Sequence, residues 1–336
     1  MIRAHKFRRA AAMTSAALAA ALVLSACGSG AAETPKAEET PEAPTVLTVT
    51  DMTGATVEIP ADPKSIVATD NHVFRTLDNW GVELTAAPKQ IMTEIGVSYT
   101  ENESVIDIGN HREPNFETFV EAQPDLVLNG GRFRGHKEEV LSYLPEEAAV
   151  VDTSFDLEQT AIDTALRDLT ELLGNVFQRE DDAQKLIADF DKSIDSAKKA
   201  YNSEETVAGI ITSGGELNYS APTTGRAIGP VFDLLGLTPA LDKEGSTDHQ
   251  GDSISVEAIA AANPDWLIVM DRDAGTSAAR EPGFHTAKEL LEESEALQNV
   301  TAVQKGQIVY LEPAFYTTED IQAYTKLFND LAKAFG

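Results

Sequence analysis

Two arginines occupy matching places in two look-alike segments. EAQPDLVLNGGR (121 to 132) and AANPDWLIVMDR (261 to 272) each end in an arginine eight residues after the proline. A guanidinium is planar, stays charged, donates hydrogen bonds in pairs and stacks on aromatic rings. Arg132 and Arg272 brought to one cleft would therefore clamp a bulky anion. Arg226 is a third candidate: it follows the loop signals Ser213-Gly214-Gly215 and Ala221 to Gly225, and Gly229-Pro230 then opens a helix. Arg112 and Arg134 are further candidates on the rim of the first half. Taken singly, Arg132 or Arg272 could instead form a surface salt bridge, the latter beside Asp271 and Asp273.

The elements that must position these groups repeat as well. In each segment an apolar-periodic stretch (Phe116, Phe119, Val120; Val256, Ile259, Ala260) runs into Pro-Asp and a short apolar run, which reads as helix, turn and buried parallel strand. Ahead of them, strand-like SIVAT (65 to 69) leads to RTLDNWGVEL (75 to 84), and VAGIIT (207 to 212) leads to VFDLLGLTP (231 to 239). Behind them come AAVVDTS (148 to 154) and GQIVYLEP (306 to 313), each a predicted strand. Three matches in one order predict a duplicated α/β scaffold, with ligands at the carboxyl ends of its strands. His72, after SIVATDN, falls at such an end and is expected to line the pocket. His111, His136 and His285 give no metal-ligand spacing and read as structural.

The 336 residues suit two domains. A hairpin is expected around Met52-Thr53-Gly54, and the longest helical pattern, from Arg179 to Tyr201, reads as a rigid bridge. The expected division is a first lobe over 46–178, the bridging helix over 179–203 and a second lobe over 204–336, with a closing amphipathic helix from Glu319 to Phe335 packed back on a lobe. Removing the four positive residues of the first 26 from a formal charge of −29 leaves −33 on the remainder. Such a field repels nucleic acid and anionic lipid, so an anionic ligand needs a local basic pocket.

The start of the chain reads as an address. Arg3 to Arg9 form a positive region, Ala10 to Leu24 an apolar stretch short for a membrane span, and 1–26 is expected to be a signal peptide. Leu24-Ser25-Ala26-Cys27 resembles the lipobox of bacterial lipoproteins, in which the cysteine is acylated. Cys27 is the chain's one cysteine, so an intramolecular disulfide is excluded, and acylation would anchor the protein outside the cytoplasm. Arg8-Arg9 leaves Sec and twin-arginine export both open. Residues 27–45, small, acidic and proline-bearing, read as a disordered tether reaching at most about 60 Å.

Lipobox, acidic tether, TVTDMTGATVEIP, EPNFETFVEAQPDLVL, the long helix and the paired Pro-Asp strands together resemble the substrate-binding lipoproteins of iron-siderophore ABC importers. The likeness runs from Val46 onward. NGGR at 129 to 132, APTTGR at 221 to 226, DHQG at 248 to 251 and MDRD at 270 to 273 are most similar to its catecholate binders. The resemblance implies the class III substrate-binding-protein fold, α/β with two Rossmann-like lobes of mostly parallel sheet joined by one long helix. It implies an arginine triad, here Arg132, Arg226 and Arg272, around a ferric siderophore. It further implies a histidine and a tyrosine able to bind Fe(III) directly, matched by His249 and, among Phe315, Tyr316 and Thr317, by Tyr316. Acidic residues docking on the ABC permease are matched by Glu117 and by Glu244, with Asp242 close behind the latter. Charge reversal at both Glu117 and Glu244 is expected to impair uptake while leaving ligand affinity unchanged; intact uptake by that variant removes the docking assignment.

No G-x-S-x-G, G-x-G-x-x-G, P-loop or H-E-x-x-H occurs, so the sequence reads as a receptor rather than an enzyme, without intrinsic cofactor and monomeric. Haem or cobalamin are alternative ligands within the same transporter class. A lipid-anchored enzyme or cell-wall protein on the same scaffold is the alternative of another class.

Overall fold

The computed structural model describes residues 45–241 and 243–336. The expected signal peptide, Cys27, the tether up to residue 44, and Asp242 lie outside the described residues. A hairpin opens the fold, β1 (Val46–Thr50) antiparallel to β2 (Thr56–Pro60), with Asp51 Oδ1 accepting from the Thr53 and Ala55 amides across the predicted turn. The first sheet has the order β5-β4-β3-β8-β9, all parallel. Its strands are β3 (Ile66–Ala68), β4 (Ala86–Ala87), β5 (Ile106–Asp107), β8 (Leu126–Asn129) and β9 (Ala149–Asp152). Helices α1 (Phe74–Asn79), α2 (Glu117–Ala122) and α3 (Lys137–Ser142) lie between them in sequence, with a small hairpin of β6 (Gly109–Asn110) and β7 (Glu113–Pro114).

Two long helices follow, α4 (Ile162–Phe177) and α5 (Glu180–Ala200). The second sheet has the order β11-β10-β13-β14, with β12 also on β10. It comprises β10 (Thr206–Ser213), β11 (Glu216–Ser220), β12 (Thr238–Pro239), β13 (Trp266–Asp271) and β14 (Ile308–Tyr310), parallel except for the β10–β11 hairpin. Helices α6 (Gly229–Leu235), α7 (Val256–Ala262), α8 (Ala287–Glu293), α9 (Thr301–Lys305), α10 (Phe315–Thr318) and α11 (Ile321–Phe335) complete the chain. Among the described residues no helix is long and apolar enough to cross a membrane.

The sequence echo has a structural cause. Helices α2 and α7 both end on a left-handed residue, Gln123 (φ 44°) and Asn263 (φ 47°), and Pro-Asp then starts a central strand. Each aspartate serves the neighbouring parallel strand: Asp125 accepts the Lys64 and Ser65 amides ahead of β3, and Asp265 accepts the Thr206 amide that starts β10. A strand's first N–H groups would otherwise lack partners, so the carboxylate fixes the register in which β8 and β13 pair.

The closing helix packs as its apolar stripe demands. Tyr324, Leu327, Phe328 and Leu331 of α11 join Phe190, Ile194 and Ala197 of α5 in one core with Val207 and Ile211 of β10. Helix α4 is divided between two cores. Ile162 and Leu166 belong to this second-sheet core, whereas Leu169, Leu172, Leu173 and Val176 belong to the core under the first sheet.

Candidate functional site

Arg132, Arg226 and Arg272 meet around one ring. Their guanidinium carbons lie 4.8, 5.3 and 5.0 Å from the centroid of Tyr316, within cation-π range. Arg132 follows β8 on a 3-10 turn and Arg272 follows β13, both at carboxyl ends of strands; Arg226 comes from the loop before α6. Tyr316 is carried by α10 and is only 4% exposed.

Each arginine is held differently. An Nη2 of Arg132 donates to the Tyr316 carbonyl at 2.8 Å, and its amide to Asn71 Oδ1 at 3.2 Å. Arg226 forms a two-pronged pair with Glu319, at 2.9 and 2.6 Å. Arg272 donates to Asp273 at 3.0 Å. The Nε atoms of Arg132 and Arg272 are buried without a protein partner among the described residues, so two charged donors remain to be satisfied. Tyr324 completes the support. Its hydroxyl donates to the carbonyl of Ala227, next to Arg226, a non-glycine residue with a left-handed φ of 63° whose backbone this bond helps to hold.

The cleft divides into two cavities that share Arg132. One, of about 730 Å³, is lined by His72, Arg134, Phe155, Arg226 and Glu319; the other, of about 870 Å³, by His111, Arg112, Arg272, Arg280 and Tyr316. Across the second cavity, Arg280 and Glu94 form an ion pair between residues 186 positions apart in the chain. Arg134 and His72 thus line the first cavity and Arg112 the second. His111, read from sequence as structural, lines it too. Its Nδ1 is buried and unpaired, while burial and the charge of Arg132 bring its pKa down to about 4, so the ring stays neutral.

The same cations set the state of their neighbours. Burial opposes ionisation of Tyr316, but Arg132 and Arg272 outweigh it and hold the phenol below its usual range. Glu319 follows the same balance, with Arg226 overcoming its desolvation. His249, in the loop between β12 and α7, is part-exposed with Nδ1 3.9 Å from Asp248; burial and the charge of Arg272 lower its pKa. Phe315 packs in the core against Tyr324 at 4.9 Å, so among the three candidates at 315 to 317 the ring beneath the arginines is that of Tyr316. Among the described residues no three His, Cys, Asp or Glu side chains gather as a metal site. Glu117 is exposed at the first turn of α2, and Glu244 is exposed in the loop after β12.

Glu319 and Asp70 escaped the sequence reading. Glu319 has a left-handed backbone (φ 44°) between α10 and α11, which helix periodicity does not announce. Asp70 follows β3 directly, and the Gly130-Gly131 pair was its signal: a Cβ at either glycine would run into the Asp70 carboxylate.

Residues 66–314 match the periplasmic binding protein family. The chain belongs to that family. It is 29% identical over 301 residues to the petrobactin-binding protein YclQ of Bacillus subtilis (strain 168), covering 89% of each chain. It is 25% identical to the ferric-anguibactin-binding protein FatB of Vibrio anguillarum (strain ATCC 68554 / 775), over 81% of this chain and 83% of that one. The crystal structure of YclQ superposes with a TM-score of 0.72 at 24% identity, covering 86% of this chain and 98% of that one. The periplasmic catecholate-siderophore binding protein VctP of Vibrio cholerae gives 0.71 at 21% identity, covering 85% and 99%. These likenesses confirm the α/β fold with mostly parallel sheets that the periplasmic binding protein family uses.

Proposed function

We propose that this chain is an extracytoplasmic receptor, not an enzyme, that captures an Fe(III)-siderophore of catecholate or mixed type and delivers it to an ABC permease. One observation carries the reading: three guanidinium groups within 5.3 Å of a single tyrosine ring, at the junction of two cavities. A ferric catecholate is a bulky multiple anion with aromatic faces and hydrogen-bond-accepting oxygens. Arginine meets all three properties at once, and the buried, unpaired Nε donors of Arg132 and Arg272 are worth more there than on an open surface. The ligands in the names of YclQ and FatB support the same class.

Tyr316 and His249 are the proposed direct ligands to iron where the siderophore leaves coordination sites free. A phenol held below its ordinary pKa gives up its proton to solvent more easily, leaving a phenolate oxygen for a ferric ion, and a neutral imidazole offers a lone pair. The proposed lobes are 46–178 and 204–336, with 179–203 between them, anchored through acylated Cys27 and the tether; Glu117 and Glu244 dock on the permease.

Fluorescence titration tests the reading, using the chain's two tryptophans. Ferric catecholates are expected to quench at low concentration, with ferric hydroxamates, haem and cobalamin weaker. Quenching by haem or cobalamin alone overturns it, and turnover of any of these compounds restores the enzyme alternative.

A further inference from the structure

The loop after β3 carries a second charged device, separate from the arginine triad. The Asp70 carboxylate is fully buried, and both oxygens are committed: Oδ1 to the backbone amide and Nδ1 of His72, at 2.9 and 2.6 Å, and Oδ2 to the Thr153 hydroxyl at 2.6 Å. Phe155 holds the imidazole from one side, with ring centroids 4.8 Å apart. His72 is thus fixed in tautomer and direction, and among the described residues its Nε2 has no protein partner on a side chain that lines the first cavity. A carboxylate behind Nδ1 is the usual means of aiming the other ring nitrogen at a ligand. Space for it is reserved by Gly130 and Gly131, where any side chain would meet Asp70.

We propose that His72 is an anion anchor, positioned by Asp70, that donates from Nε2 to an anionic oxygen of the bound ligand in the first cavity. The inference rests on the reading of the cleft as a ferric-siderophore site, and it adds a fourth cation to that site. Unlike the arginines, this cation titrates. Burial disfavours the charged ring, but Asp70 overrides it; Glu319 from the turn before α11 adds to Asp70, and Arg226 from the loop before α6 opposes. The folded pKa lies above the ordinary histidine value, so the anchor is charged on the acid side of that raised value. Its contribution is lost as pH rises through that pKa. An anionic ligand beside the ring moves the loss to higher pH still.

The test is fluorescence titration of the full chain with Fe(III)-2,3-dihydroxybenzoate, comparing wild type with His72→Gln from about pH 6 to about pH 9. Using the ratio of the two dissociation constants removes the catechol's own titration. A ratio of about ten at the acid end, the scale of one charged hydrogen bond, is expected, falling towards one at the alkaline end. His72→Arg is expected to retain affinity while flattening the profile, which a merely structural histidine would not do. In parallel, nitrogen NMR of histidine-labelled wild type with the diamagnetic Ga(III) complex needs no variant: the ligand is expected to shift the His72 Nε2 resonance and raise its pKa. A pH-independent ratio, or an Nε2 signal indifferent to ligand, overturns the anchor alone. Failure of wild type to bind any ferric complex overturns the receptor reading, and the anchor with it.

Discussion

Replacing Arg132 by alanine is expected to weaken ferric-catecholate binding by about 1.5 to 3 kcal/mol, roughly ten- to 150-fold in dissociation constant. Arg226→Ala and Arg272→Ala fall in the same range. Arg132 should head the series because it borders both cavities and brings an unpaired Nε. Arg226 should fall lowest, since Glu319 already holds it in two hydrogen bonds that an incoming anion must share or displace. Lysine at 132 should recover only part of the loss: it restores the charge but not the planar fork. Fluorescence titration of the three variants checks this, with thermal melts to establish that each is folded. Unchanged affinity in all three would end the clamp.

Phe328→Ala is expected to cost about 3 to 5 kcal/mol of folding stability, the usual range for emptying a phenylalanine site in a core. The side chain is fully buried on α11, with its ring 5.9 Å from Phe190 of α5 and 6.1 Å from Tyr324. Because Tyr324 in turn holds the carbonyl beside Arg226, the loss should also loosen that arginine. Urea denaturation reads the first effect, and Phe328→Leu, which refills most of the volume, should recover most of it. A cost under about 1 kcal/mol for the alanine variant would mean that α11 is not pinned by this core.

Much of the scaffold was legible because Pro-Asp, a left-handed helix end and an apolar run are local chemistry, and each occurs twice. The helix-to-strand passages at 117 to 129 and 256 to 271, and their arginines at strand ends, follow from that. Convergence on one tyrosine ring did not follow from spacing. It depends on α10, four residues long, and a short helix has too little periodicity to place a side chain in advance. Asp70 and Glu319 were hidden for a related reason. In a chain with 55 acidic residues, a carboxylate that is fully buried, as Asp70 is, or largely so, as Glu319 is, is indistinguishable in sequence from one in solvent. Only the contacts made by distant segments, 83 residues away for Thr153 and 93 for Arg226, single them out.

Helix α4 sets a mechanical limit on capture. With Ile162 and Leu166 rooted beneath one sheet and Leu169 through Val176 beneath the other, it acts as a beam clamped at both ends. Swinging one sheet away from the other would draw one of these two sets of side chains out of its packing, so the movements this helix permits are those that keep both sets buried.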